Sequence, residues 1–133
     1  MPKDSFPTYL MPTLTVNDCK AAVAFYKGAF GATEIFSDLE TPGSGLAVLA
    51  IGDVQLVVAD ESPEHGNISP NAEAPVSIRM GLMVPDPDTI FKQAMDRGAK
   101  QVYAVADQSY GYRLGHLVDP FGHHWEIGRP LSK

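Results

Sequence analysis

The fold is decided by residues 16–32, VNDCKAAVAFYKGAFGA, and by residues 84–99, VPDPDTIFKQAMDRGA, which follow one plan. Each stretch begins with a valine and a capping aspartate, continues with apolar residues at helical spacing, and ends in glycine and alanine. The start signals lie 68 positions apart and the stop signals 67. Each stretch also stands between segments rich in strand-forming residues. Matching signals at a fixed spacing indicate a duplicated supersecondary unit.

The first unit is predicted to contain one helix and four strands. The helix is capped by Asn17 or Asp18 and ends at Gly31, where glycine suits a left-handed residue. Its apolar face comprises Cys19, Ala22, Val23, Tyr26 and Phe30. The strands are predicted at residues 8–16, 33–38, 44–51 and 54–60, and Gly52-Asp53 favours a hairpin between the last two.

The second unit repeats this arrangement. Asp86 caps its helix, Pro87 takes the first helical position and Gly98 ends it. Its strands are predicted at residues 77–84, 100–105, 112–118 and 123–128, and a turn at residues 119–122 joins the last two. Residues 61–76, which are rich in proline and glutamate, are interpreted as a linker. The sequence therefore predicts one α+β domain of two βαβββ modules, at about residues 8–60 and 77–129, with a cleft between them.

Composition narrows the class of protein. The chain has 133 residues, of which 44% are hydrophobic, enough for a single core. Sixteen acidic residues against ten basic ones give a net charge of −6, which argues against nucleic acid as a partner. Cys19 is the single cysteine, so no disulfide forms within the chain. The longest apolar run, residues 46–51, is too short to span a membrane, and we expect a soluble, cytoplasmic protein.

The segment YGYRLGHLVDPFGH at residues 110–123, followed by HWEI, resembles the vicinal oxygen chelate superfamily. Residues 24–32 are also typical of it, and the resemblance extends from about Tyr9 to Arg129. This superfamily includes glyoxalase I, bleomycin resistance proteins, fosfomycin resistance enzymes and extradiol dioxygenases. The resemblance implies a curved mixed sheet around a cleft, formed within one chain or by two chains that exchange modules. It also implies a homodimer.

Metal-dependent members of this superfamily place four ligands on the first and last strands of the two modules. The matching positions here are Met11, Gln55, about Gly81 (with Arg79 and Leu82 beside it) and Glu126. Glycine has no donor and a thioether suits hard divalent ions poorly, so only Glu126 matches and we expect no metal cofactor. The alternative is an atypical site in which His124 and Glu126 hold Ni, Zn, Mn or Fe.

The last hairpin allows its faces to be assigned. A turn at residues 119–122 would place Val118 opposite His123 and His116 opposite Trp125. His124, Glu126, Leu117 and Arg113 would then face the cleft. Arg113 would be the partner of Glu126, either within a binding site or as an ion pair at the cleft rim.

Aromatic and methionine side chains divide into two groups. We expect Phe25, Tyr26, Phe30 and Phe91 in the core. Tyr9, Tyr103, Tyr110 and Tyr112 would stack on a flat ligand or only close the rim, with Met11, Met80 and Met83 as further lining. The ligand-binding candidates are Met11, Tyr110, Tyr112, Arg113, His124 and Glu126.

The resemblance and the missing ligands together favour a metal-free protein that sequesters a small molecule, such as a drug or metabolite, in the cleft. The alternative is a metal-dependent lyase, isomerase or dioxygenase of the same superfamily. Glu126 would then be its base or ligand and His124 an acid or second ligand. A third class is a regulatory interaction domain whose cleft has no ligand.

Overall fold

The computed structural model describes residues 5–71 and 73–132. The first module consists of β1 (Thr13–Val16), α1 (Cys19–Phe30), β2 (Thr33–Asp38), β3 (Leu46–Ile51) and β4 (Val54–Asp60). The second consists of β5 (Met80–Met83), α2 (Pro87–Asp96), β6 (Lys100–Asp107), β7 (Tyr112–Val118) and β8 (His124–Pro130). The predicted α+β class and the two βαβββ modules are confirmed.

Both helices begin at the predicted caps. The Asp18 carboxylate accepts a hydrogen bond from the backbone N–H of Ala21 at 3.1 Å, and Asp86 caps α2 in the same way through Thr89 at 3.2 Å. Gly31 ends α1 in the left-handed conformation, with φ of 73°, where residues with a side chain are disfavoured. The duplicated start signals therefore correspond to two helices that are capped in the same way.

The two modules form two separate four-stranded sheets with the same topology. Their strand orders are β1-β4-β3-β2 and β5-β8-β7-β6. The first strand of each module pairs parallel to the last, and the other pairs are antiparallel. Both first strands are shorter than predicted, since β1 lacks residues 8–12 and β5 lacks residues 77–79. Pro7 and Pro12 have no N–H to donate to a ladder, which limits β1 on its N-terminal side.

The core lies where α1 and α2 contact each other and cover one face of each sheet. The predicted core residues Phe25, Tyr26, Phe30 and Phe91 are all buried there. Met80, expected at the cleft, instead packs against this core, because it lies beside the buried Trp125 in the β5–β8 pairing. Cys19 is buried as well, and its thiol donates to the carbonyl oxygen of Val58 at 3.4 Å.

A buried carboxylate joins the two modules. Asp119, in the turn between β7 and β8, is 3% exposed. It accepts hydrogen bonds from the hydroxyl of Tyr26 in α1 and from the indole N–H of Trp125 at 2.9 Å. Nearby, the His123 imidazole donates to the carbonyl oxygen of Thr15 in β1 at 2.8 Å. The last hairpin is thus fixed to both the helix and the first strand of the other module.

The described residues between the two modules have little regular structure. They contain a short 3₁₀ helix at Pro63–His65 and one bridge between Ser62 and Asn67. In the part of the chain that the structure describes, no helix is both long and apolar enough to cross a membrane.

Candidate functional site

The second sheet carries a polar cluster on the face that the helices leave open. Residues directly opposite in an antiparallel pair share a face, and so do alternate residues of one strand. His116 on β7 lies opposite Glu126 on β8, and Tyr103 on β6 lies opposite His116. His124 is two residues from Glu126 on the same strand. We call these four residues, together with Arg79, the polar cluster.

The register of the last hairpin differs by one residue from the prediction. Val118 lies opposite His124, and Leu117 lies opposite Trp125. The reason is the turn: Gly122 is left-handed, with φ of 93°, and the N–H of Asp119 donates to the carbonyl oxygen of His123 at 2.8 Å. The loop therefore closes at the pair Asp119–His123. This places Leu117 in the core and His116 on the open face, the reverse of the prediction.

The predicted Arg113–Glu126 pair is wrong for a related reason. Arg113 lies on the helix-covered face, where its guanidinium binds both carboxylate oxygens of Asp88 at 2.8 Å and Asp107 at 3.0 Å. Asp88 and Asp107 raise the pKa of Arg113, and Arg113 lowers the pKa of Asp88. Arg113 thus joins α2 to β6 and β7, and its donors are directed away from the open face.

Glu126 pairs instead with Arg79, just before β5. The Nε of Arg79 donates to a Glu126 carboxylate oxygen at 2.9 Å, with the Arg79 side chain 49% exposed and that of Glu126 23% exposed. Gly81 is the register neighbour of Glu126 on β5 and carries no side chain that would separate the two. The cluster therefore contains a cation held directly against its one carboxylate.

The two histidines of the cluster are joined by a hydrogen bond. His116 Nε2 and His124 Nδ1 are 2.8 Å apart, so one ring donates and the other accepts. Burial and then the neighbouring His124 lower the pKa of His116. The Tyr103 ring meets the His116 ring edge-on at 5.6 Å, and burial followed by the charge of Glu126 raises the pKa of Tyr103. These contacts favour the uncharged forms of His116 and Tyr103.

Of the other candidates, Tyr110 interacts with Tyr103 of the cluster, and after burial and Glu126 its charge and its hydrogen bond are among the causes that raise the pKa of Tyr103. Tyr110 and Tyr112 are exposed, with ring centroids 6.4 Å apart at the start of β7. Met11 is exposed just before β1, in the other module. Sequence reasoning grouped His124 with Glu126 correctly but missed Arg79 as the partner of Glu126, and it placed His116 on the wrong face. The glycine of the turn was the signal that could have corrected the register.

The residues at the inherited ligand positions do not fit a divalent metal. They offer the thioether of Met11, the amide of Gln55, no donor at Gly81 and the carboxylate of Glu126. The carboxylate is already bound by a guanidinium. An incoming cation would have to displace Arg79 and would be repelled by it.

The family of the chain follows from a comparison with protein-family models. The model of the Glyoxalase/Bleomycin resistance protein/Dioxygenase superfamily matches residues 8–127. The chain belongs to this superfamily. Two uncharacterized proteins, from Mycobacterium bovis and Mycobacterium tuberculosis, are each 35% identical to it over 129 residues. The matched region spans 93% of this chain and 84% and 75% of those proteins.

Solved structures of other proteins share the fold of this chain. TioX from Micromonospora sp. ML1 is 24% identical with a TM-score of 0.67, over 93% of this chain and 100% of TioX. The fosfomycin resistance protein FosX of Listeria monocytogenes, solved with Mn(II) and 1S,2S-dihydroxypropylphosphonic acid, is 16% identical with a TM-score of 0.71. That match covers 96% of this chain and 92% of FosX. At these sequence identities, the similarity to TioX and FosX supports the fold of this chain.

Proposed function

We propose that this superfamily member binds a small molecule without a metal and sequesters it, with the polar cluster as the floor of the site. Glu126 and His124 supply hydrogen-bonding groups, and the exposed rings of Tyr110 and Tyr112 supply flat apolar surface. Met11 contributes from the first module. Arg113, engaged on the opposite face, takes no part in binding.

The contact between Arg79 and Glu126 carries this proposal. A guanidinium at 2.9 Å supplies the positive charge that a metal ion would bring to the same carboxylate. Unlike a metal, it has no open coordination positions and does not act as a Lewis acid on substrate oxygens. A site in which an arginine, and not a metal ion, pairs with the carboxylate is suited to binding a small molecule.

Two further groups of the cluster, His116 and Tyr103, supply uncharged hydrogen-bonding surface. The pKa of His116 is lowered and that of Tyr103 is raised, so both are uncharged near neutral pH. The cluster then combines one ion pair with neutral hydrogen-bonding groups and aromatic edges. Such a surface fits a ligand that is partly polar and partly aromatic.

A homodimer is part of the proposal, because the open faces of both sheets expose large apolar side chains. Phe36 and Leu46 on the first sheet, and Met83 and Tyr103 on the second, are 37–54% exposed. A second copy that covers these side chains would remove apolar surface from water and close the site above the polar cluster.

Metal analysis of the purified protein tests the proposal that it holds no metal. After incubation with Ni, Zn, Mn or Fe and desalting, we expect less than about a tenth of a metal per chain. Glu126→Gln should not change that value. Arg79→His, which removes the guanidinium and adds a donor, should raise retention of Zn or Ni at least about tenfold. About one metal per wild-type chain, lost in Glu126→Gln, would instead establish the metal-dependent enzyme.

Ligand binding is tested by thermal shift with bleomycin, fosfomycin and a library of drugs and aromatic metabolites. A true ligand should raise Tm in the wild type, and the increase should fall in Glu126→Gln and Tyr112→Ala. Lys92→Gln, which breaks an exposed ion pair with Asp96 on α2, is the matched control and should behave like the wild type. The absence of any ligand better than millimolar would favour an interaction domain instead.

A further inference from the structure

A cavity lies beside the polar cluster, between the linker and the first strand. Its volume is about 420 Å³. Linker residues 68–71, 75 and 76, together with residues 77 and 78 that follow the linker, form one wall where the structure describes them, and Thr13 and Thr15 of β1 form another. Residues 122–124, at the end of the last turn and the start of β8, complete it. Both modules and the linker therefore contribute to one cavity.

The described lining of this cavity contains hydrogen-bonding groups but no lysine, arginine, aspartate or glutamate. Thr13, Thr15, Ser69 and Ser77 bring hydroxyls, and Asn71 brings an amide. The remaining linker residues, such as prolines 70 and 75, are apolar. A charged occupant would find no lysine, arginine or carboxylate as a counter-charge in this lining, whereas an uncharged occupant needs none.

His124 lines this cavity and has an unsatisfied nitrogen. Its Nδ1 is engaged with His116, but its Nε2 is buried without a hydrogen-bond partner, the one such side-chain nitrogen or oxygen in the described part of the chain. A buried polar atom without a partner is unfavourable and uncommon in folded proteins. A polar group of an occupant that reached His124 Nε2 from the cavity would supply that partner.

The hydrogen bond between the histidines restricts which chemical group fits. If His116 donates to His124 Nδ1, then His124 Nε2 carries a proton and needs an acceptor. In the other tautomer, His124 Nε2 has no proton and needs a donor. A primary carboxamide or a hydroxyl offers both donor and acceptor, and it matches the ring in either state.

We propose that this cavity binds an uncharged small molecule whose primary carboxamide or hydroxyl group pairs with His124 Nε2. The threonine and serine hydroxyls bind the rest of its polar surface, and the apolar linker residues contact its body. The site shares His124 with the polar cluster but goes beyond the function proposed above, because it involves neither Glu126 nor Arg79 and does not require the second copy.

Benzamide, benzoate and benzamidine test the proposal, because they share a shape but are neutral, anionic and cationic. Each is titrated into the isotope-labelled full chain, and NMR follows the backbone signals of Ser69 and Asn71 and the ring nitrogens of His124. We expect benzamide to shift these signals and the two charged probes to bind at least about tenfold more weakly.

Variants assign the binding to this cavity. His124→Phe and the cavity-filling Val76→Phe should both remove the benzamide shifts, with folding confirmed from the rest of the spectrum. His65→Phe, at an exposed linker histidine outside the cavity, should keep them. His124→Gln, which retains a hydrogen-bonding group, should restore part of the binding.

Three results would overturn the proposal. The first is the absence of benzamide shifts up to its solubility limit, and the second is equal binding of all three probes. The third is a loss of the benzamide shifts in Glu126→Gln, which would place the probe on the polar cluster. That third result would leave the sequestration function standing while it removes this one.

Discussion

Tyr26 of α1 donates a hydrogen bond to the buried carboxylate of Asp119, across the boundary between the two modules. Burial, and then the adjacent charge of Asp119, raise the pKa of Tyr26 well above its ordinary value. The phenol therefore remains neutral and continues to donate. Asp119 also accepts from the backbone N–H groups of Phe121 and His123 at 2.9 and 3.0 Å. The same carboxylate thus holds the helix of one module and shapes the last turn of the other.

We expect Tyr26→Phe to lower the free energy of unfolding by about 1–3 kcal/mol, because Asp119 loses a partner while it remains buried. Urea denaturation followed by the fluorescence of Trp125 measures this loss. Tyr9→Phe removes the hydroxyl of an exposed ring and is the control. Equal stability changes in the two variants would contradict the role assigned to Tyr26.

The pH dependence of the free energy of unfolding should depend on the protonation of His116. Burial and His124 lower its pKa, and the weaker influences of Glu126 and Arg79 oppose each other. Below about pH 6.5 the unfolded chain binds a proton that the folded protein resists, so stability falls as the pH falls. His116→Gln should flatten this decrease below about pH 6.5. His65→Gln, in the exposed linker, should keep the wild-type slope, and an unchanged slope in His116→Gln would refute the assignment.

Arg113 and Arg79 should differ in their effect on ligand binding. For a compound that raises Tm in the screen, Arg79→Gln should change the affinity at least about tenfold, or about 1.4 kcal/mol. Arg113→Gln should leave it within about twofold, because Arg113 lies on the covered face and contacts Asp88 and Asp107. Isothermal titration calorimetry measures both. A larger effect of Arg113→Gln would mean that the open face is not the binding surface.

Replacement by alanine should have very different effects on stability at two strand glycines, Gly128 and Gly81. A side chain at Gly128 would collide with the backbone of Arg113 and with Leu114, which cannot move without breaking the β7–β8 ladder. At Gly81 the nearest heavy atom is the end of Met83, at 3.8 Å. We expect Gly128→Ala to cost about 3 kcal/mol or more and Gly81→Ala to lie within about 1 kcal/mol. Thermal denaturation checks the pair, and similar Tm values would contradict the packing described for Gly128.

Much of the fold could be predicted because its signals are local. Asp18 and Gly31 mark the ends of α1 through bonds to their own neighbours, and Asp86 does the same for the start of α2. The duplication then repeats these signals. The boundaries of β1 and β5 were less predictable, because a strand ends where its partner ceases to accept and donate hydrogen bonds. The pairing of Arg79 with Glu126, 47 positions apart in the chain, has no local signal at all.

The sequence by itself determined the two modules, their helices, the linker and the open face that holds His124 and Glu126. The tertiary structure determined which side chains lie beside His124 and Glu126. Asp119, buried between Tyr26 and Trp125, holds a turn in which Gly122 is left-handed, and this moves the register by one residue. Because side chains alternate along a strand, this shift of one residue places His116 rather than Leu117 on the open face. It also places Arg113 on the covered face, so Arg79 is the partner of Glu126.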